Sequence, residues 1–258
     1  MVLLDLCRIV KPDIKAVFVN TGNEFPEIVQ FVKEQKDEGG GIDIIRPAMR
    51  VQEVIAKYGF PIPSKETASN IHQVRINPNS YTAHHKLDDN NPYRIAKRWR
   101  YLCDEPYDVS DQCCAALKKA PAKKYCKEHN VSMITGVMAQ ESRLREANYV
   151  KQGACNVFRD VVNSQSHPLM IWTEDDIWAY IKQRGLKICE LYDKGFKRTG
   201  CMFCGFGAWN KDDHRFDLLY NMHPKWYEHC MEYTNKGVTY REALRKELAA
   251  TGKKLPDE

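Results

Sequence analysis

No stretch of this sequence is both long and apolar enough to cross a bilayer; its hydrophobic runs stay well short of the roughly 20 residues a membrane helix needs. The N-terminal MVLLDLCRIV has the look of a signal-peptide core, but Asp5 and Arg8 interrupt it and no small-residue cleavage site follows. There is no internal repeat and no low-complexity segment, which excludes solenoids and tails. Neither charge sign dominates strongly: 39 Lys and Arg against 34 Asp and Glu leave a formal +5. That balance suits an anionic ligand such as a nucleotide and permits nucleic-acid contact, but demands neither. With 43% hydrophobic and 28% charged residues, disorder is excluded as well. The expectation is a cytoplasmic globular protein with no membrane contact. Its 258 residues suffice for one large domain or a domain with an appendage. In a reducing compartment its ten cysteines would be free thiols or metal ligands rather than disulfides.

What is present reads as alternating helix and strand. Residues 1–10 form an amphipathic helix with Leu3, Leu6, Ile9 and Val10 on one side, stopped by Pro12. AVFVN, 16–20, is a strand ending in Thr21-Gly22, and a helix follows over about 25–36. A second strand runs Ile42 to Ile45, and a helix near 50–58 ends at Gly59. This order is the grammar of a parallel sheet with helical crossovers. Residues 64–102 read as mostly helical around the polar loop NPNSYTAHHKLDDNNP. A helix over 111–128 carries Cys113 and Cys114, VSMIT (131–135) is a third strand ending on Gly136, and PLMIW (168–172) is read as a fourth. Thr173 with Asp176, and Thr239 with Glu242, form capping boxes, and Pro224 suits a first helical turn. Beyond the Cys-x-x-Cys the chain reads as all helical. The fold class expected is α/β, a Rossmann-like parallel sheet with a helical C-terminal part. The division expected is an α/β nucleotide-binding domain over 1–172 and a helical part over 173–258 packed on it.

Chemistry concentrates in Cys113-Cys114 and Cys201-x-x-Cys204. Each pair alone has a plain reading: buried small thiols on a helix, or a zinc or redox pair. Together, four thiolates from two places can close a cage, and soft ligands leave two options open, structural zinc or an iron–sulfur cluster. Adjacent helical side chains diverge by roughly 100°. That splay is awkward around one ion and easier around a cluster with several corners. Lys118 and Lys119 lie one turn on, near a site that would be anionic. The other six cysteines read as core or idle thiols, and the histidines lack the spacing of a second metal site.

VFVNTGNEFPEI, PIPSKE, SDQCCAALKKAPAKKY, TGVMAQESRLR, PLMIWTEDDIWAYI and RTGCMFCGFG, in that order, resemble the phosphoadenosine phosphosulfate (PAPS) reductase family of the adenine nucleotide alpha-hydrolase fold. The similarity spans nearly the whole chain and is nearest to the branch that pairs Cys-Cys with Cys-x-x-Cys. It implies a 4Fe-4S cluster on Cys113, Cys114, Cys201 and Cys204, with zinc as the alternative, and an adenine nucleotide as substrate. Thr21, Gly22 and Phe25 would lie at the sheet edge where nucleotides bind, with Gly136, Ser142, Arg143 and Arg145. Gly22 allows close approach or a positive φ, and the guanidinium forks suit phosphate or sulfate, though a solvated helix face is an equal reading of the two arginines.

Three departures qualify the likeness. The family's phosphate loop, S-G-G-K-D-S, precedes a helix like MVLLDLCRIV, and this sequence starts at Met1 inside that helix; the expectation is a fragment or late-start product. The reductases carry a catalytic cysteine in a C-terminal tail, whereas no cysteine follows Cys230 here. Asn20 and Met138 stand where the family commonly has Asp and Arg. Three functions stay open. The first is a reductase of PAPS or adenosine phosphosulfate served by a thiol donor such as thioredoxin. The second is an ATP-dependent sulfur transferase resembling DNA phosphorothioation proteins, in which Lys97-Arg98-Trp99-Arg100 touches nucleic acid. The third is a non-catalytic cluster-bearing binding protein.

Overall fold

The computed structural model describes residues 1–153, 155–197 and 199–258, and of residues 143 and 144 the backbone alone. In chain order, α1 is Val2–Val10, β1 Ala16–Val19, α2 Pro26–Asp37, β2 Ile42–Ile45, α3 Val51–Tyr58, α4 Lys65–Ile76 and α5 Tyr81–Leu87. A 3-10 segment Lys97–Cys103 leads to α6, Gln112–Cys114, which widens into a π-helical turn Ala115–Lys119 before α7, Ala120–His129. Then come β3 Met133–Ile134, α8 Arg143–Gln152, β4 Asn156–Val157, β5 Gln165–Ser166 and α9 Glu174–Arg184. The chain closes with α10 Arg215–Met222, α11 Pro224–Met231, the pair β6 Thr234–Asn235 and β7 Val238–Thr239, and α12 Tyr240–Ala249. None of these helices is long and apolar enough to cross a membrane.

The residues divide into two compact units. The first comprises Met1–Val19, Glu27–Ile45 and Ala120–Tyr192. Here β1 and β2 pair in parallel, Ala16 opposite Ile42 through Val19 opposite Ile45, joined by the crossover α2. β3 pairs in parallel with β5, and β4 runs antiparallel on its other side. The mixed α/β class with parallel strand pairs is thus the one the sequence implies. α1 and α9 are tied by Asp5, which accepts from the Tyr180 hydroxyl at 2.7 Å and the Arg184 guanidinium at 3.0 Å.

The second unit comprises Asn20–Pro26, Arg46–Lys119 and Asp193–Glu258. Its core includes Ile55, Phe60, Ile62, Ile71, Leu102, Tyr107, Phe203, Tyr227, Tyr240 and Leu244, all about fully buried. Each such side chain contributes on the order of 1.5–3 kcal/mol of burial. Phe60 stacks against Tyr107 and Tyr240 at ring separations of 5.5 and 5.2 Å.

Two expectations for strands and helices are corrected. PLMIW does not form a strand: Pro168 brings no N–H, and Met170 and Trp172 donate to His167 and Leu169 in successive turns. The strand lies just upstream, at Gln165–Ser166. Nor is the C-terminal region all helical. Lys236 and Gly237, at φ +50° and +82°, form a two-residue turn joining β6 to β7, with both residues left-handed as a type I′ hairpin requires. Both expected capping boxes are present, and Pro224 opens α11.

Candidate cysteine site and nucleotide-binding residues

All four singled-out cysteines fall in the second unit. α6 carries Cys113 and Cys114, and the π turn that follows re-aims the next side chains. Cys201 is fixed from the other side: it bridges antiparallel to Glu24, and the Met202 N–H donates to the Asn23 carbonyl at 2.8 Å. Cys204 follows a tight turn in which its N–H reaches the Cys201 carbonyl. Cys113 is buried and the other three are half-buried, and all ten cysteines are free thiols. The four sense one another electrostatically. Burial pushes the Cys113 thiol far up, and Cys201, Cys114 and Cys204 add to the shift. Burial pushes Cys201 up to about 11 against the pull of Lys118, and raises Cys204 against the pull of Arg215.

Lys118 and Arg215 bond the cysteine segments, and Lys65 also acts on Cys204. The Lys118 amine bonds the Cys201 sulfur and lies 3.8 Å from the Glu24 carboxylate. Burial pulls that amine down, but Cys201 and Glu24 outweigh it and hold it up. Arg215 donates to the Cys204 carbonyl at 2.8 Å and binds both oxygens of Asp213. Lys118 was within reach of sequence reasoning, being one turn from the cysteines. Arg215 was not, because nothing in a linear motif marks a residue eleven positions past Cys204.

Whether these residues fit a metal group is decided by their spread and donor type. Among the described residues, no three His, Cys, Asp or Glu side chains form a group that could hold a metal ion as they stand. A single zinc needs its thiolates about 4 Å apart from one another. The four thiols, two from each of two segments of one unit, are soft donors of the kind that zinc and iron–sulfur groups both take. Sulfur donors with adjacent cations fit an anionic iron–sulfur group.

The expected nucleotide residues are split between the units. In the second, the Glu24 carboxylate accepts from both the N–H and the hydroxyl of Thr21 at 2.8 Å, so Thr21 is committed to its own loop. Gly22 is exposed at φ +77° with nothing within 4 Å of a would-be Cβ. That is the open, left-handed backbone anticipated there. Phe25 is buried edge-on against Phe196 at 4.8 Å. In the first unit, Gly136 packs close to Leu3 and Leu169. Ser142 caps α8 by accepting from the Arg145 N–H. Arg145 pairs with Glu141, while the side chain of Arg143 lies outside the described residues.

The basic run 97–100 is occupied internally. Trp99 is buried, Arg98 stacks on Trp99 and Trp209, and Lys97 and Arg100 both bind Asp89. Cys230 is 1% exposed, and burial raises its thiol to about 12, so it is a core residue rather than a nucleophile.

Residues 1–76 and 72–205 match the phosphoadenosine phosphosulfate reductase domain, a span that contains all four cysteines. Adenosine 5'-phosphosulfate reductase of Staphylococcus epidermidis is 25% identical over 220 residues, covering 83% of this chain and 70% of that protein. The Geobacillus kaustophilus enzyme of the same name is 24% identical over 224 residues, with 83% and 72% covered. An uncharacterized protein of Methanocaldococcus jannaschii is 31% identical over 134 residues, half of this chain and 32% of that one.

Proposed function

Because the chain belongs to the phosphoadenosine phosphosulfate reductase domain family, we propose that it reduces an adenylylated sulfate to sulfite, the substrate being PAPS or adenosine 5'-phosphosulfate. The observation that carries this reading is the gathering of Cys113, Cys114, Cys201 and Cys204 beside Lys118 and Arg215 in a chain whose relatives are named sulfate-nucleotide reductases.

The reaction needs two electrons, and the two thiols of a dithiol donor of the thioredoxin kind would supply them. A thiolate attacks the sulfur of the sulfate group, the bond from that sulfur to the nucleotide's phosphate oxygen breaks, and the nucleotide leaves. A second thiol then attacks the first thiol's sulfur, releasing sulfite and leaving a disulfide. Buried at 1% exposure, Cys230 does not serve as the attacking thiol.

Cys113, Cys114, Cys201 and Cys204 would hold a 4Fe-4S cluster. When bound it supplies a centre of delocalised charge whose potential the surrounding cations and hydrogen bonds tune. The chain's own part is to hold that charge in place. Lys118 offsets it from the π turn, with Glu24 fixing the amine. Arg215 fixes the loop at Cys204, and Asp213 orients the guanidinium. For the nucleotide, Gly22 would offer backbone at close range, while Thr21 and Phe25 shape its loop. In the first unit, taken by itself, Gly136, Ser142, Arg143 and Arg145 are the candidates to meet phosphate or sulfate oxygens.

The test is iron, acid-labile sulfide and zinc per chain on protein purified without oxygen, together with sulfite release from each sulfonucleotide with a dithiol donor. About four irons and four sulfides, lost in Cys114→Ser or Cys201→Ser, are expected. About one zinc with no sulfide would sink the cluster. Absence of sulfite from either nucleotide in iron-loaded protein would sink the reductase reading.

A further inference from the structure

The second unit contains a buried acid that the sulfur chemistry does not use. Glu247, on α12, is 0% exposed, and neither of its carboxyl oxygens has a hydrogen-bond partner. Three other buried polar atoms among the described residues share this condition in the same unit: Asn23 Oδ1 and the hydroxyls of Tyr101 and Tyr107. Glu247 and the two tyrosines share one neighbourhood: Lys246, next to Glu247 on α12, bonds Glu105 at 2.7 Å, between the tyrosines in sequence, and Phe60 packs on both Tyr107 and Tyr240 of α12 at 5.5 and 5.2 Å; Glu247 acts electrostatically on both tyrosines. Native proteins leave few buried polar atoms unsatisfied, and several in one neighbourhood point to a shared partner.

The protein's own cations are not that partner. Arg215 and Lys253 both face Glu247, and Asp213 faces it with like charge. Arg215 is spent on both oxygens of Asp213 and on the Cys204 carbonyl. The Lys253 ammonium donates to the carbonyls of Ala208, Asn210 and Asp213, which uses its three donors. The Tyr240 hydroxyl is committed to the Phe203 carbonyl at 2.8 Å, and Glu105 pairs with Lys246. An ionised carboxylate here would be desolvated with no hydrogen bond, an arrangement far costlier than taking up a proton. A carboxylic acid, by contrast, offers one donor and one acceptor, and each tyrosine hydroxyl offers both. That set can anchor water, which needs two to four polar partners.

We propose that Glu247, Tyr101 and Tyr107 form an internal water-binding site, to which Glu247 contributes as an uncharged carboxylic acid. The site adjoins the elements that hold the Cys201–Cys204 loop. Glu247 shares its helix with Tyr240, which anchors Phe203, and it faces Arg215, which anchors Cys204.

The linkage has a definite sign. Burial holds the Glu247 carboxyl well above its ordinary 4.5, so the folded chain keeps a proton that the unfolded chain gives up. Stability from this group is complete below about pH 4.5 and is lost as pH rises, about tenfold in the folding equilibrium per unit until the folded acid ionises. Glu247→Gln keeps shape and hydrogen bonding but cannot ionise. Urea unfolding of wild type and Glu247→Gln across pH tests this. The ratio of their folding constants is expected to favour the variant increasingly above about pH 5. A variant less stable than wild type at neutral pH, by an amount that salt removes, would show an ionised, paired Glu247 and overturn the proposal. Two measurements avoid reliance on the variant's folding. The carbonyl stretch of a protonated carboxyl should appear in the infrared spectrum of wild type at neutral pH. A crystal structure should place water on Glu247 and at least one of the two tyrosine hydroxyls. Direct Glu247–tyrosine hydrogen bonds without water would overturn the hydration site.

Discussion

A Cβ on Gly205 would come within 2.5 Å of the Ile62 side chain, 2.6 Å of the Tyr240 hydroxyl and 2.9 Å of the Pro61 carbonyl. The residue after Cys204 must therefore be glycine for that cysteine to sit where it does. Gly205→Ala is expected to destabilise the protein by about 1–3 kcal/mol through overpacking, and further if Tyr240 loses its bond to Phe203. Urea unfolding checks the first effect and iron retention the displacement of Cys204. Gly200→Ala, whose Cβ meets nothing, should leave both near wild type. Asp213 gives a pH-dependent counterpart. Burial alone would raise its carboxyl, but Arg215, bonded to both oxygens, outweighs burial and holds it below 3.8. A lowered folded value means the contribution is complete above about pH 3.8 and fades as pH falls through the folded value. Asp213→Asn should cost about 1.5–3 kcal/mol at neutral pH and converge on wild type in acid, read as urea midpoints. The four cysteines were legible because thiol spacing is a linear signal. Arg215 and Glu247 were not, because each matters only through what folding packs around it.

The β6–β7 hairpin shows how an element can be decisive with little pattern to announce it. Asn235 is 1% exposed; its amide donates to the carbonyls of Ile55 and Ala56 at the end of α3, and its oxygen accepts from the Asp108 N–H. Asn235→Ala leaves these buried groups unpaired, at about 1–3 kcal/mol each, so a loss of roughly 3 kcal/mol is expected in chemical denaturation. Asn235→Asp should recover only the contact with Asp108, because its carboxylate cannot donate to two carbonyls. Two-residue strands carry no periodicity, so the all-helical reading of this region overlooked Lys236-Gly237 as a turn. The long amphipathic elements and capping residues were legible: α1, α2 and α3 lie within a residue or two of expectation, and α9 and α12 start directly after the capping residues Thr173 and Thr239. PLMIW failed for the opposite reason. Its apolar run reflects burial of Leu169 and Met170, which turns satisfy as well as a strand does. The π turn after Cys114 is likewise invisible in composition, yet it carries Lys118.

At the scale of the whole molecule, the chain's path would make a group bound to all four cysteines a clip. Cys113 and Cys114 close one stretch of the second unit, and the chain then supplies residues 120–192 to the first unit before returning with Cys201 and Cys204. A group bound to all four cysteines would join two segments that packing, hydrogen bonds and ion pairs such as Lys246–Glu105 and Lys236–Asp108 also hold together. Closing a loop of this length removes unfolded-state entropy equivalent to about 4 kcal/mol in the chain-entropy model of a cross-link. Metal-dependent folding energy adds to it. For a chain of this size, each kcal/mol moves Tm by about 2–4 °C, so cluster-loaded protein should melt about 10 °C above protein stripped by chelation. Cys204→Ser should lose both the iron and the gain, whereas Cys103→Ser, in the same unit but away from the site, should keep them. Calorimetry of loaded and stripped samples without oxygen measures this. Equal melting temperatures in a sample carrying four irons per chain would mean that the four cysteines do not share one group. A gain restored by zinc alone would mean that closure of the loop, and not the cluster, is what stabilises the unit.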